Sequence, residues 1–190
     1  MAQEIEIEYK NLLTKEEFKI LLDKLPFPEY SVKQSNYYFE TKEFALKEKG
    51  CALRIREKNG KYRLTLKEPH ELGLQETHDV LTEEEANQWI NGHIIPKPEV
   101  MKQIHHLGVN PHDLVYFGKL ITERREVSFQ NTLLVLDYST YNEKEDYEFE
   151  LEAPDEDTGI ETFHSILTEF GIKKKTTPNK IKRFFKSLEK

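Results

Sequence analysis

The chain has 190 residues, of which 37% are hydrophobic and 33% charged, with a formal net charge of −7. That length fits one domain around one core, and the acid excess argues against a nucleic-acid binder, whose domains are usually basic. A single cysteine, Cys51, excludes a disulfide within the chain and suits a reducing compartment. No apolar run approaches the roughly 20 residues that span a bilayer. The opening Met-Ala-Gln-Glu-Ile-Glu lacks the basic and apolar regions of a signal peptide. The expectation is a soluble, cytoplasmic protein.

Taken in chain order, the elements alternate between two periods. A strand is expected over 4–10, then a helix in which Thr14 and Glu17 form a capping box ahead of Phe18, Leu21, Leu22 and Leu25. Strands follow over 32–40, 51–58, 61–68 and 73–81, with Asn59-Gly60 as the strongest hairpin signal. Thr82 and Glu85 box the next helix ahead of Trp89 and Ile90, which Gly92 stops; Pro98 opens another through Ile104, closed by Gly108. Strands over 115–129, 132–139 and 146–153 come next. A helical stripe of Ile160, Phe163, Leu167 and Phe170 follows, and a last one opened by Pro178 carries Ile181, Phe184, Phe185 and Leu188. About eight mostly antiparallel strands with interspersed helices make the class α+β.

Alternate strand positions carry sorted charge. Glu4, Glu6, Glu8 and Lys10 share one face, and Glu148, Glu150 and Glu152 another, opposite Tyr147, Phe149 and Leu151. The sign flips in the middle of the chain. Arg54, Arg56 and Lys58 oppose Leu53 and Ile55, and Arg63, Thr65 and Lys67 oppose Tyr62, Leu64 and Leu66. For any one strand a wet outer face explains this. Together they do not fit that explanation, because like charges side by side destabilise a sheet and solvated faces interleave signs. An eight-stranded antiparallel β-barrel, a tunnel with a polar charged interior covered outside by amphipathic helices, resolves the conflict. Carboxylates there suit Mg²⁺ or Mn²⁺, and arginine and lysine suit phosphate oxygens.

These residues resemble the CYTH domain, the triphosphate tunnel metalloenzymes. The likeness is carried by Glu6, Glu8 and Lys10 in an E-x-E-x-K spacing, by Tyr37-Tyr38-Phe39-Glu40-Thr41, and by Ala52-Leu53-Arg54-Ile55-Arg56. It continues through Arg63-Leu64-Thr65-Leu66-Lys67, Thr122-Glu123-Arg124, Leu136-Asp137-Tyr138, Glu148-Phe149-Glu150-Leu151-Glu152 and Asn179-Lys180. E-x-E-x-K alone is weak; the ordered set, spread over nearly the whole chain as one domain, is specific. Glu40 stands where the family has Asp, and Asn179 where it has Ser.

The resemblance implies a divalent-metal-dependent triphosphatase acting on inorganic triphosphate, thiamine triphosphate or a nucleoside triphosphate. A class IV-type adenylyl cyclase, or a non-catalytic polyphosphate- or nucleotide-binding module, is the alternative. It implies metal ligation by Glu6, Glu8, Glu150 and Glu152, with Asp137 as a further candidate, and a phosphate grip by Arg54, Arg56, Arg63, Lys67 and Arg124. Lys10 is placed on the substrate beside the catalytic Glu6 and Glu8, and Lys180 is expected to reach one tunnel mouth, with Arg183 as a second candidate. The partner is a small triphosphate, with neither nucleic acid nor membrane, and the oligomeric state is open. Glu4 and Glu148 lie near strand ends, Lys58 adjoins the turn, and Arg125 has the wrong parity; these four stay outside the assigned set. Seven histidines do not make a zinc motif, and His70 and His78 have no third ligand nearby in sequence.

Overall fold

A computed structural model of the chain describes residues 3–189. Its strands are β1 (Gln3–Leu13), β2 (Val32–Thr41), β3 (Ala52–Lys58), β4 (Lys61–His70), β5 (Gly73–Leu81), β6 (Leu114–Phe129), β7 (Thr132–Tyr141) and β8 (Lys144–Ala153). The helices are α1 (Lys15–Lys24), α2 (Ala45–Glu48), α3 (Glu83–Ile90), α4 (Pro98–His106), α5 (Glu156–Glu169) and α6 (Lys180–Lys186). The strands close into an antiparallel barrel in the order β1-β5-β4-β3-β2-β6-β7-β8, as the alternating charge predicts. Among the described residues no helix is long and apolar enough to cross a membrane.

The chain packs as two compact units. One runs up to Ile5 and then over Gln34–Leu120; the other comprises Glu6–Lys33 and Ile121–Lys190. The divisions fall inside β1, β2 and β6. In the first unit Leu53 and Ile55 of β3 and Leu64 and Leu66 of β4 are fully buried in a core with Phe39, Trp89, Val100 and Ile104. Trp89 packs edge-on to Phe39 with ring centroids 5.3 Å apart, and its indole N–H donates to the Ile95 carbonyl at 3.0 Å. In the second unit Leu134, Leu136, Phe149 and Leu151 pack against Phe18 and Leu21 of α1 and Phe163, Ile166 and Leu167 of α5. In both units the apolar parity of the strands lies under helices, so the charged parity is the barrel's inner face.

Local chemistry sets the joints. Asn59 and Gly60 both have positive φ, 54° and 72°, as a two-residue primed turn requires, and the turn fixes Lys58 opposite Lys61. Both capping boxes form, Thr14 with Glu17 and Thr82 with Glu85. Three details depart from the sequence expectation. The α5 stripe is rotated: Gly159, Thr162, Phe163, Ile166 and Leu167 are buried, while Ile160 is 45% exposed. A Cβ at Gly159 would lie 2.3 Å from the Tyr9 ring and 2.9 Å from the Ala153 side chain, so the missing side chain turns this face inward. The last helix starts at Lys180, capped by the Asn179 side chain accepting from the Lys182 N–H at 3.0 Å, and Pro178 precedes the cap.

The third departure is α2, too short to show a period. Glu40, only 2% exposed, builds it: its carboxylate accepts from the backbone N–H groups of Thr41 at 2.8 Å, Leu46 at 3.0 Å and Lys47 at 2.8 Å. Each bond runs to an ionised acceptor in a buried setting, where such bonds are strong. Glu40→Ala strands these donors and should destabilise the protein by about 2–4 kcal/mol. Denaturant melts read this directly; a loss under about 1 kcal/mol would show that water replaces the carboxylate.

Candidate active site

In the first unit β3 and β4 present a basic surface. Arg56 faces Arg63 across the ladder, Lys58 faces Lys61, and Arg54 faces Thr65. Lys67 stands opposite Glu76 of β5, and Thr65 opposite His78. All of these side chains except Lys67 line a cavity of about 340 Å³ that takes in five cations and one carboxylate. The carboxylate is Glu76, 6% exposed, in contact with the Lys67 ammonium and 3.8 Å from an Arg54 guanidinium nitrogen. The imidazole of His78 bridges three groups: its Nε2 lies 2.9 Å from Glu4 and 3.3 Å from Glu76, and its Nδ1 lies 3.0 Å from the Thr65 hydroxyl. Arg56 donates through Nε to the Asn36 amide oxygen at 3.0 Å. Arg54 and Arg56 each have a polar neighbour; like charges still face each other where Arg56 meets Arg63 and Lys58 meets Lys61.

The second unit is acidic and more deeply buried. Arg124 of β6 grips Asp137 of β7 bidentately, Nε to Oδ1 at 2.8 Å and Nη2 to Oδ2 at 2.6 Å, and reaches Glu150 of β8 at 2.7 Å. Lys180, the first residue of α6, places its ammonium against Glu148, Glu150 and Asp137, the last at 2.9 Å. Arg183, one turn on, pairs with Glu148 and, at 3.0 Å, with Asp146. The approach to α6 is pinned: the Asn11 side chain accepts from the Lys175 N–H at 2.7 Å and donates to the Lys173 carbonyl at 3.0 Å. Lys10 contacts its strand neighbour Glu8.

Asp137, Glu148 and Glu150 bring ligand oxygens close enough to hold a cation, but Lys180 already lies among them. Burial opposes charge on both sides of this cluster, and the partners outweigh it. Asp137, Glu148 and Glu150 raise Lys180, and Lys180 and Arg124 hold Glu150 well below the usual carboxylate range. Burial, with Glu150 beside it, pushes Glu148 the other way. Glu152 is different. Among the described residues no cation forms an ion pair with it, and burial first, then Glu6, push its carboxyl up to about 7. Glu152 faces Glu8 across β1 and β8. Carboxylates that face one another in this way raise one another's pKa.

The structure therefore puts Lys10, Glu6, Glu8, Arg124, Asp137, Glu150, Glu152 and Lys180 on the second unit. Arg54, Arg56, Arg63 and Lys67 lie on the first, where Arg63 is the most exposed of the four. Sequence reasoning missed three participants. Glu148 was set aside as a strand end but is fully buried, because β8 begins at Lys144 and carries it inward. Glu76 and His78 were not grouped, yet the register of the short 70–73 turn puts both on the face of Thr65 and Lys67. That turn was the available signal. His78 does have two carboxylates beside it, contrary to the sequence reading. Glu40, which stands at a family motif position, spends its oxygens on α2 and the Thr41 N–H. Arg125, with the other parity, donates to the Glu29 carbonyl at 3.3 Å.

The Glu152 group has a pH consequence. Between about pH 4.5 and 7 the folded chain holds a proton that the unfolded chain has lost, so without a bound cation stability falls as pH rises through that window. Glu152→Gln removes the repulsion. In chelator at about pH 8 it should melt several degrees above the parent, and the gap should close near pH 4.5. A variant less stable than the parent at the higher pH would show that Glu152 is compensated by the protein itself.

The CYTH domain matches residues 4–185. Over 191 aligned residues the chain is 47% identical to the Bacillus subtilis (strain 168) protein named "Putative triphosphatase YjbK", covering all of this chain and 99% of that one. A crystal structure of a protein from Bacillus halodurans, described as a "putative adenylate cyclase", superposes with a TM-score of 0.93 at 43% identity, over 97% of this chain and 100% of that one. HpAC1 of Hippeastrum, described as a "putative adenylyl cyclase" with a dominant triphosphatase activity, gives a TM-score of 0.77 at 25% identity over 96% and 95%. A family match over nearly the whole chain, on a closed barrel whose inner face is charged, has one reading: the chain belongs to the CYTH domain family.

Proposed function

We propose that the chain is a cytoplasmic, divalent-metal-dependent triphosphatase, working as a single triphosphate domain. The observation that carries this is Glu152 of β8, which faces Glu8 of β1 and whose carboxyl is pushed up to about 7 by burial and then by Glu6. Glu6, Glu8, Glu150 and Glu152 supply the oxygen ligands, and hard oxygen donors in that number suit Mg²⁺ or Mn²⁺. A metal held by these carboxylates would supply charge neutralisation at phosphate oxygens and a more nucleophilic water. Asp137, already bonded to Arg124 and Lys180, holds these two cations in place.

The protein's own share is positioning and charge. Arg54, Arg56, Arg63 and Lys67 take phosphate oxygens, with Glu76 holding Lys67 and Arg54 in register between turnovers. Lys10 contacts and orients substrate from beside Glu8. Arg124 and Lys180 keep the acidic wall fixed. A second reading, adenylyl cyclase, is favoured by the name of the Bacillus halodurans relative; the dominant triphosphatase activity stated for HpAC1 favours hydrolysis. The two differ in the nucleophile, water or the ribose 3′-hydroxyl.

The test is incubation of the pure protein with Mg²⁺ or Mn²⁺ and a panel of triphosphates. Orthophosphate release supports the proposal, and pyrophosphate with cyclic nucleotide supports the cyclase. Binding without product leaves a sensor. Glu6→Gln or Glu8→Gln should lower kcat by a factor of about 100 or more, the scale of losing several kcal/mol of charge stabilisation. Arg56→Ala should raise KM for triphosphate about tenfold, one charge-assisted contact's worth. Unchanged rates in the glutamine variants would remove both residues from the metal.

A further inference from the structure

Glu4 of β1 and Glu76 and His78 of β5 all belong to the first unit, and each brings a ligand atom to within 4.8 Å of the other two. None of the three is among the oxygen ligands assigned above. Nε2 of His78 lies 2.9 Å from Oε1 of Glu4 and 3.3 Å from Oε2 of Glu76. The other ring nitrogen, Nδ1, is 3.0 Å from the buried Thr65 hydroxyl. Glu76 divides its oxygens. Oε1 meets the Lys67 ammonium and, at 3.8 Å, an Arg54 guanidinium nitrogen, while Oε2 is turned to the imidazole. The Asp137 cluster differs, because there Lys180 contacts all three carboxylates.

Two carboxylate oxygens compete for one ring nitrogen. Nε2 carries at most one hydrogen, and a hydrogen serves one direction well. Aimed at Glu4, it leaves the Glu76 oxygen at a distance that is long for N–H···O. A metal ion bonds in several directions at once. Two ligand atoms held about 2.0–2.1 Å from one ion lie about 3.3–3.4 Å apart at a tetrahedral angle and about 2.8–3.0 Å apart at a right angle. The separations of 3.3 and 2.9 Å fall at these values. Glu4 is exposed, so its side chain can adjust and an ion can enter past it. The Thr65 hydroxyl on Nδ1 fixes the ring and leaves Nε2 for the ion, the part that outer-shell partners of metal-bound histidines play. Two carboxylates balance the charge of a dication. One imidazole nitrogen among them suits Zn²⁺ better than Mg²⁺, which prefers oxygen alone.

We propose that Glu4, Glu76 and His78 form a second metal site, selective for Zn²⁺ and cations of like preference over Mg²⁺. Three protein ligands leave at least one coordination position open, and Glu76 and His78 both line the cavity, so water completes the shell from that side. The site does not depend on the triphosphatase reading, and its test needs no turnover.

The experiment titrates the metal-stripped full chain with Zn²⁺ in excess Mg²⁺, which fills sites made of oxygen alone. Calorimetry reads stoichiometry and affinity, and ¹H–¹⁵N spectra of the imidazoles, with His78 assigned by its loss in His78→Ala, report which ring binds. The expected result is one Zn²⁺ per chain, taken up with a shift of the His78 Nε2 resonance. His78→Ala and Glu4→Gln should each weaken that binding at least tenfold, and Thr65→Val about tenfold, the scale on which outer-shell partners act. Glu4 is exposed, so Glu4→Gln keeps the test decisive if circular dichroism shows His78→Ala misfolded. Zn²⁺ binding with an unmoved His78 resonance would place the ion elsewhere and overturn the proposal. Parent-like affinity in Glu4→Gln would do the same. Displacement of Zn²⁺ by an equal concentration of Mg²⁺ would overturn the selectivity and with it the part given to the imidazole.

Discussion

Like charges on neighbouring strands repel, and this fold accumulates them on one face of every strand it uses for chemistry. Parity makes that unavoidable. Leu53 and Ile55 go to the core under the helices, so Arg54 and Arg56 go to the other side of the same strand. Phe149 and Leu151 do the same to Glu148, Glu150 and Glu152. Hydrophobic burial, worth about 1.5–3 kcal/mol for each large side chain, is the term that holds the ions where they would not gather by themselves. The charged face is a consequence of the packed one, and the energy of the packed one sustains it.

Each unit relieves the repulsion with internal counter-ions. In the second unit Arg124, Lys180 and Arg183 answer Asp137, Glu148, Glu150 and Asp146. Asp137, Glu148 and Glu150 lie close enough to hold a cation, and α6 delivers the Lys180 ammonium among them. In the first unit Glu76 answers Lys67 and Arg54, and the cations toward the turn outnumber the carboxylates.

Most of the fold was legible because its signals are local. Thr14 with Glu17, Thr82 with Glu85 and Asn59-Gly60 each specify a joint through two or three residues, and alternation specifies the strands. What escaped depends on contacts distant in sequence or on very short elements. Nothing near residue 45 announces α2, since the Leu46 and Lys47 donors are met by a carboxylate six and seven residues before them. The α5 stripe fits Ile160 as well as Gly159 until Tyr9 and Ala153 take up the space beside the glycine. In the site, parity within a strand was readable, so Arg54, Arg56 and Glu150 could be grouped. Register between strands was not, and so Glu76, His78 and Glu148 were left out.

The two family departures show why a motif position and a role are separate things. At residue 40 an Asp would be one methylene shorter, yet here the longer carboxylate spans from Thr41 to Lys47 and is saturated by backbone donors at 2.8–3.0 Å. An oxygen so occupied has little left for a metal or a phosphate. At residue 179 a Ser would cap the helix as the Asn does, because both offer one oxygen to the Lys182 N–H. In both places the side chain acts on backbone, and what it fixes is the start of a short helix. For α6 that start is Lys180 itself. Moving the cap by one residue would turn Lys180 by about 100° around the helix and withdraw its ammonium from Asp137, Glu148 and Glu150. The cap at Asn179 therefore sets the electrostatics of the acidic wall although it touches none of its carboxylates.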